Sequence, residues 1–331
     1  MKEHTLNNGA NKGTKWFAVV NPISGSGKGL DDFPLISKLL RDNGIACEAV
    51  FTEHKHHATE LTVWAINEGF RHIIVVGGDG TLHEVINGLF IQHSVEPSEV
   101  TIAVIPVGTG NDWIRMYGLP TRYSAVIRAI KEGYTFLQDV AAVEYEESRY
   151  RQTRYMANVA GVGFDAAVIK RGQSMGGIGK KKKGAGFYIR ALIGTFFRYK
   201  PTGVKIWVDD KLAYNNLLFS LAMGVGKYNG GGIQQLPASV ADDGLLDVTL
   251  IKPIHWWHVV FRLRRFFNGE IYSIGHVQHL QGSKIRIESS PETDLEIDGE
   301  LLGGSPVELR VLHRAVKVIV NKSFINKLNK K

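Results

Sequence analysis

The first third of the chain alternates between two hydrophobic patterns. Short continuous apolar runs, rich in valine, isoleucine and aromatic residues, predict buried strands at residues 15–21, 45–51, 71–76 and 101–105. Between these runs apolar residues recur at helical spacing, which predicts helices at residues 35–44, 58–68 and 81–90. Strands that alternate with helices in this way predict a parallel sheet with helices on both faces.

The pattern changes near residue 139. Short strands with few helices between them are predicted at residues 155–159, 204–208, 217–223, 247–251, 284–287 and 295–297. The predicted fold class is α/β plus all-β: an N-terminal Rossmann-like domain (residues 15–138) and a C-terminal β-sandwich domain (residues 139–309). A last apolar run at 316–320 could be a strand of either domain. The C-terminal strand within 310–322 could therefore belong to the N-terminal domain.

Three glycine-rich turns follow the predicted parallel strands, at residues 21–29, 77–81 and 106–112. Open α/β sheets bind ligands at these strand ends. The first turn is not a P-loop, because Pro22 replaces a required glycine and Gly29 replaces the magnesium-binding Ser or Thr. Its backbone N–H groups can still surround an anion, and a plain tight turn is the alternative.

The second turn, GGDGT, carries a carboxylate among glycines that let phosphate approach the backbone. A carboxylate there would repel phosphate unless a cation lay between them, so Asp79 is interpreted as a magnesium partner. The alternative is a turn residue that caps the following helix. The third turn adds a hydroxyl, and Asn111 or Asp112 could equally cap the next helix.

Composition and charge narrow the function classes. The 331 residues carry a net charge of +8, and the basic residues cluster at 180–183, 262–265 and 322–331. This charge favours a polyanionic partner such as a nucleotide, nucleic acid or anionic membrane. The single Cys47 excludes an internal disulfide and a multi-cysteine zinc site. No secretion signal and no apolar run of about 20 residues is visible, so no membrane-spanning helix is expected.

Residues 255–267 (HWWHVVFRLRRFF) predict an amphipathic helix with one apolar face and one basic face bordered by aromatic side chains. Such a face suits an anionic lipid surface, whereas packing on the sandwich with solvated arginines is the alternative. The histidines of TEHKHHA (52–58) match no metal-ligand spacing, and a polar helix start explains them.

The motifs together resemble the diacylglycerol kinase catalytic family, in its branch of bacterial soluble lipid kinases related to sphingosine kinases. The matching segments are NPISGSGKG (21–29), TEHKHHA (52–58), VVGGDGTLHEVINGL (75–89), IPVGTGNDW (105–113), GVGKYNGGG (224–232), DDGLLDV (242–248) and EIDGE (296–300). GGDGT alone would be less specific, since NAD kinases and phosphofructokinases resemble it there.

The resemblance implies that ATP binds with Mg²⁺ in a cleft between the two domains. It places at the nucleotide Asn21, Ser24, Thr52, Gly77, Gly78, Asp79, Gly80, Thr81, Glu84 and Thr109. It makes Glu300 the general base beside Asp79 as the other catalytic residue, and it assigns a structural metal site to Asp243 and the carbonyls of Val240 and Leu245. Without the resemblance, residues 298–300 and 242–244 would read as polar turns.

The resulting expectation is a cytoplasmic lipid kinase, peripheral at the inner membrane face, that phosphorylates diacylglycerol or a related lipid. Its expected partners are ATP, the lipid and an anionic membrane surface, with no nucleic acid; a homodimer is left open. Val225 departs from the asparagine of many relatives, which puts acceptor specificity in doubt. The rivals are a kinase of a soluble acceptor such as NAD, and a silent nucleotide or lipid sensor.

Overall fold

The computed structural model describes residues 12–108, 110–174, 194–255, 262 and 264–329. The helices with both ends among the described residues are α1 (Lys28–Asp31), α2 (Phe33–Asp42), α3 (His57–Asn67), α4 (Asp79–Ile91), α5 (Asp112–Met116), α6 (Tyr123–Glu132), α7 (Phe164–Ser174) and a C-terminal helix (Lys322–Leu328). Short 3₁₀ turns lie at Lys12–Thr14, Ser24–Ser26, Pro97–Glu99 and Ile271–Ser273.

Fifteen strands are hydrogen-bonded into one continuous system within the described residues. They are β1 (Trp16–Val20), β2 (Cys47–Phe51), β3 (His72–Gly77), β4 (Thr101–Pro106), β5 (Thr135–Glu147), β6 (Tyr150–Met156), β7 (Val159–Gly163), β8 (Thr202–Val208), β9 (Lys211–Leu218), β10 (Ser220–Gly224), β11 (Leu246–Ile251), β12 (Val277–Gly282), β13 (Lys284–Ser290), β14 (Asp294–Ile297) and β15 (Glu300–Ile319).

The N-terminal strands form a parallel sheet in the order β2-β1-β3-β4. Every residue of β4 and all but the first residue of β1 and β3 are buried, as expected for strands covered on both faces. Because parallel strands point the same way, the turns after β1, β3 and β4 lie at one edge of the sheet. This confirms the predicted Rossmann-like half of the fold.

The C-terminal strands pair antiparallel and enclose a second hydrophobic core, distinct from the first. This confirms the predicted β-rich second half. The longest strand, β15, belongs to both halves: it pairs antiparallel with β13 and β14 and then parallel with β4 at Lys317 and Val318. The run at 316–320 therefore extends the parallel sheet.

The predicted domain boundary between residues 138 and 139 falls inside β5. In that strand Val140 packs in the first core and Ala141 in the second, and in β15 Leu309 packs in the second core while Val316 packs in the first. This distribution is compatible with domains at 15–138 and 139–309 joined by the end of β15, a division that stays a proposal.

Two predicted strands are wrong in detail. The segment 155–159 is interrupted at Ala157 and Asn158, between β6 and β7. The segment 217–223 is likewise two strands, because the chain turns at Phe219, whose N–H donates to Ile251 O. Among the described residues, no helix has the length and hydropathy needed to cross a membrane.

Candidate active site

The three glycine-rich turns contact one another. A side-chain carbon on Gly78 would lie 3.3 Å from Gly108 Cα and 3.7 Å from Ser24 Oγ, so all three turns meet around this glycine. Gly25 has a left-handed φ of 62°, and a side-chain carbon there would collide with the Val107 carbonyl oxygen. Glycine at these positions lets the turns pack backbone to backbone, as in turns whose N–H groups surround an anion.

Asn21 and Thr81 connect the first two turns. Asn21 Nδ2 donates to Thr81 Oγ1 at 2.9 Å, and Asn21 Oδ1 accepts from the Ile23 N–H at 3.2 Å. Thr81 is buried in the first turn of α4, directly under Gly77. Both polar side chains therefore brace the turns.

Asp79 does more than occupy the second turn. Its Oδ2 accepts from the Asp112 N–H and its Oδ1 from the Trp113 N–H, both at 3.2 Å, so the carboxylate caps α5 rather than its own helix. Burial raises the pKa of Asp79, the Asp112 charge raises it further, and the two N–H bonds oppose the shift. The charge of Asp298, from the other half of the fold, also raises it.

Asp112, which the sequence analysis interprets only as a possible helix cap, has further contacts in the site. Its Oδ2 accepts from the Gly231 N–H at 2.7 Å, while its Oδ1 is buried without a hydrogen bond and lies 3.5 Å from Arg115 Nε. Burial is the main cause that raises the pKa of Asp112. Burial raises the pKa of both carboxyl groups and one Asp112 oxygen has no hydrogen bond, so the pair fits a divalent cation that would neutralise both charges.

Glu84, predicted at the nucleotide, holds the segment after β2. Its carboxylate oxygens accept from the N–H groups of His56 and Ala58, both at 3.1 Å, at the start of α3. Thr52 N–H donates to Val20 O at 2.8 Å and keeps the segment beside the first turn. The segment so fixed carries Lys55, whose Nζ lies 3.9 Å from Glu300 Oε2.

The turn before Glu300 is a tight hairpin, as the alternative interpretation had it. Asp298 and Gly299 have φ values of 49° and 89° and connect β14 to β15, the pattern of a two-residue type I′ turn. The Asp298 carboxylate accepts from the N–H groups of Ala157, Asn158 and Val159 at 3.0–3.1 Å and lies 3.1 Å from His83 Nδ1. The hairpin is therefore fastened to both halves of the fold.

Glu300 is the first residue of β15, and its side chain remains 20% exposed. Because Asp298 lies 3.1 Å from His83 Nδ1 of α4, the hairpin that carries Glu300 lies beside the helix that begins at the second glycine-rich turn. Residues 298 and 299 can therefore form the hairpin turn while Glu300, directly after it, acts as a general base. The carboxylate is accessible and can accept a proton from a hydroxyl group brought to this cleft.

The predicted metal residues lie in an acidic neighbourhood. Asp243 Oδ1 accepts from the Leu245 N–H at 3.0 Å, and Val240 is 39% exposed. Burial raises the pKa of Asp243, opposed by that bond, and the charges of Asp247, Asp139 and Asp242 raise it further. Asp247 is fully buried, with one carboxylate oxygen unpaired, so these residues fit a cation.

His54, His57 and Glu60 bring ligand-type atoms within 4.8 Å of one another. His57 Nδ1 already accepts from the Glu53 N–H at 3.0 Å, and His54 Nδ1 lies 3.0 Å from Lys55 O. The bond from the Glu53 N–H occupies the lone pair of His57 Nδ1 that a metal ion would need. These histidines therefore have a structural explanation, in which they shape the turn before α3.

Some predicted residues lie outside the described part of the chain: Thr109, the lysines at 180–183, and 256–261 with 263 of the basic aromatic segment. At the end of that segment Phe266 packs in a small apolar cluster, Phe267 is half exposed, and Arg265 Nη1 donates to Ser273 Oγ at 3.0 Å.

A parallel sheet with phosphate-type turns, joined to an antiparallel β domain, is the fold of lipid kinases and, more distantly, of NAD kinases. The diacylglycerol kinase catalytic domain model matches residues 15–143, and the YegS C-terminal NAD kinase beta sandwich-like domain model matches residues 158–320. The chain therefore belongs to the diacylglycerol kinase catalytic family, in its branch of bacterial lipid kinases.

Individual relatives agree with this placement. A diacylglycerol kinase of Mycobacterium tuberculosis is 24% identical over 303 residues, 91% of this chain and 94% of that protein. A Stenotrophomonas maltophilia protein named "Probable lipid kinase YegS-like" is 28% identical over 240 residues, 72% of this chain and 74% of that protein.

Solved structures support the fold alone. A diacylglycerol kinase from Bacillus anthracis str. Sterne has a TM-score of 0.69 at 22% identity, covering 94% of this chain and 98% of that chain. Yeast NADH kinase complexed with NADH has a TM-score of 0.52 at 13% identity, covering 96% and 87%.

Proposed function

We propose that this kinase-family protein transfers the γ-phosphate of ATP to a lipid hydroxyl, that of diacylglycerol or a related lipid, with Mg²⁺. The observation that carries the proposal is the meeting of three glycine-rich turns and the carboxylates of Asp79 and Asp112 beside the hairpin that presents Glu300. Phosphoryl transfer needs charge neutralisation and alignment more than covalent help.

Each group has a task in this reaction. The backbone N–H groups around Gly78, with Asn21 and Ser24 beside them, bind the phosphates. Asp79 and Asp112 would hold Mg²⁺, which neutralises phosphate charge when bound. Glu300 accepts the proton of the lipid hydroxyl as that oxygen attacks phosphorus, and ADP leaves.

The test is a transfer assay with labelled ATP and a panel of diacylglycerol, monoacylglycerol, a sphingoid base, phosphatidylglycerol and NAD. We expect label in at least one lipid when Mg²⁺ is present and none in NAD. No label in any lipid with any divalent metal would refute the proposal, and labelled NAD would support the soluble-acceptor alternative. Tight ATP binding without transfer would indicate a sensor.

We also propose a second, structural metal at Asp243 with the carbonyls of Val240 and Leu245. The unpaired buried oxygen of Asp247 and the mutual repulsion of the nearby aspartates support it. Asp139 fixes the surrounding loop, because its Oδ2 accepts from the Gly244 N–H at 2.7 Å. Manganese soaked into crystals should give an anomalous scattering peak beside Asp243, and its absence there would contradict this assignment.

The lipid acceptor implies contact with a membrane surface, which we propose for the segment 255–267 at the inner face of the cytoplasmic membrane. The basic aromatic composition of the segment and the half-exposed Phe267 support it. We expect co-flotation with anionic vesicles to fall when Arg262 and Arg264 are both replaced by Glu. Equal flotation of the variant and the parent protein would show that the segment 255–267 does not bind the membrane through these arginines.

A further inference from the structure

Two carboxyl groups that have no part in the reaction above lie behind the catalytic hairpin. Glu296, in β14, is 1% exposed, and Asp165 lies in the first turn of α7. Both flank Gly161 of β7: a side-chain carbon on this glycine would lie 2.7 Å from Glu296 Oε1 and 2.9 Å from Asp165 Cβ. Any larger residue at Gly161 would displace one of the two acids.

The two oxygens of Glu296 bind different parts of the cleft. Oε2 accepts from the Gly299 N–H at 3.0 Å, inside the hairpin that presents Glu300. Oε1 accepts from Asn229 Nδ2 at 3.2 Å, in the glycine-rich loop 224–232. Glu296 therefore joins the hairpin to this loop.

The loop is held at two further points. Asn229 Nδ2 also donates to Gln235 Oε1 at 3.2 Å, and Gln235 Nε2 donates to Asp165 Oδ2 at 3.1 Å, which completes a polar network around the two acids. Two residues after Asn229, the Gly231 N–H donates to Asp112 Oδ2 at 2.7 Å. The network thus extends from the hairpin of Glu300 to the proposed magnesium carboxylates.

Burial raises the pKa of Glu296 to about 8, and the charge of Asp165 adds to the shift, with a smaller addition from Asp298. The bonds from Gly299 and Asn229 oppose it. Burial likewise raises the pKa of Asp165 to about 6. β7 and the side chains of Asn229 and Gln235 bring no ionisable group, and Lys170 of α7 pairs with Asp294 of β14, so the raised pKa favours a neutral Glu296 near pH 7.

We propose that Glu296 is a positioning residue that works in its uncharged form, holding the Glu300 hairpin and the 224–232 loop in register, and that loss of its proton sets the alkaline limit of activity. The inference rests on the proposed kinase function for its activity readout. A negative charge on Glu296 would face Asp165 and Asp298 in a buried site, and that repulsion would separate the elements the side chain connects.

Glu296→Gln tests the proposal, because glutamine keeps the shape and removes the charge. We expect kcat within about threefold of the parent protein at about pH 6.5. As pH rises from about 7 to 9, kcat of the parent protein should fall at least fivefold more than that of Glu296→Gln. Glu296→Ala should lose about tenfold or more of kcat at every pH, with KM for ATP little changed. Identical alkaline limbs for the parent protein and Glu296→Gln would overturn the proposal.

Thermal unfolding separates this proposal from the kinase assignment, since it needs no substrate. The folded-state pKa of Glu296 is raised, so its contribution to stability is full below the ordinary carboxyl pKa and is lost as pH rises towards about 8. Tm of the parent protein should therefore fall between about pH 5 and pH 8 more steeply than Tm of Glu296→Gln. Parallel Tm curves would show that Glu296 is charged throughout and would refute the neutral form, whichever lipid is the substrate.

Discussion

Glu300→Gln is expected to lower kcat by about 10²–10⁴-fold at saturating ATP and lipid, because glutamine cannot accept the proton of the attacking hydroxyl. KM for ATP should change little, since the phosphate-binding turns lie on other elements. The fold should persist, because glutamine has the shape of glutamate and the hairpin is fastened through Asp298 rather than Glu300. Steady-state kinetics with the lipid identified in the transfer assay measure the effect.

Glu288→Gln is the matched control. Glu288 lies on the neighbouring β13 with its side chain 48% exposed, in an ion pair with Arg286. Exposed pairs of this kind contribute little, so its kcat should equal that of the parent protein. If kcat of Glu300→Gln were within about tenfold of the parent value, Glu300 would not be the general base.

The second large effect is expected for Asp79→Asn, which should lower kcat by about 10²-fold or more through the loss of a magnesium carboxylate. The Tm of the Asp79→Asn variant should equal or exceed that of the parent protein. Asparagine keeps one oxygen to accept from the Asp112 or Trp113 N–H, at a cost of about 1 kcal/mol for the bond lost. Against this, the substitution removes a buried charge that faces the carboxylates of Asp112 and Asp298.

The pairing of rate and Tm separates the two roles of Asp79. If the carboxylate serves only to cap α5, Asp79→Asn should leave kcat within a fewfold of the parent value, because asparagine can still accept one of the two N–H bonds. If it also holds magnesium, kcat should collapse while Tm is retained. Measurements of kcat at several Mg²⁺ concentrations and of Tm on the same preparation therefore decide between them.

Local patterns were sufficient to predict the position of the phosphate-type turns. The apolar runs before Asn21, Gly77 and Val107 mark the buried parallel strands, and the glycines directly after them mark the turns. Parallel pairing then forces the turns to one edge. The contacts between the turns depend on how the strands are placed side by side in the sheet. Local sequence patterns do not contain that information.

Strand breaks at the hairpin were missed for a related reason. The segment 155–159 has the composition of one strand. However, the N–H groups of Ala157, Asn158 and Val159 donate to the carboxylate of Asp298, about 140 residues away, instead of to a neighbouring strand. Of the 20-residue β15 only the run at 316–320 is predicted from the sequence, and this is the part that pairs with β4 after the strand has left its antiparallel partners.

Burial of acidic side chains could not be predicted from local sequence. Glu296 stands between Leu295 and Ile297, and alternation would place it on a solvated face. Both faces of β14 are covered here, so the glutamate is enclosed with Asp165. Asp112 likewise looked like a simple cap, because its contact with Gly231 comes from a loop more than a hundred residues later.

A crystal structure with a non-hydrolysable ATP analogue and Mg²⁺ would show where the nucleotide binds. We expect the triphosphate against the turns at Ser24, Gly78 and Gly108, a metal ion on the carboxylates of Asp79 and Asp112, and Glu300 facing the γ-phosphate across the cleft. A nucleotide bound elsewhere on the chain, or a Glu300 carboxylate turned away from the γ-phosphate, would contradict this expectation.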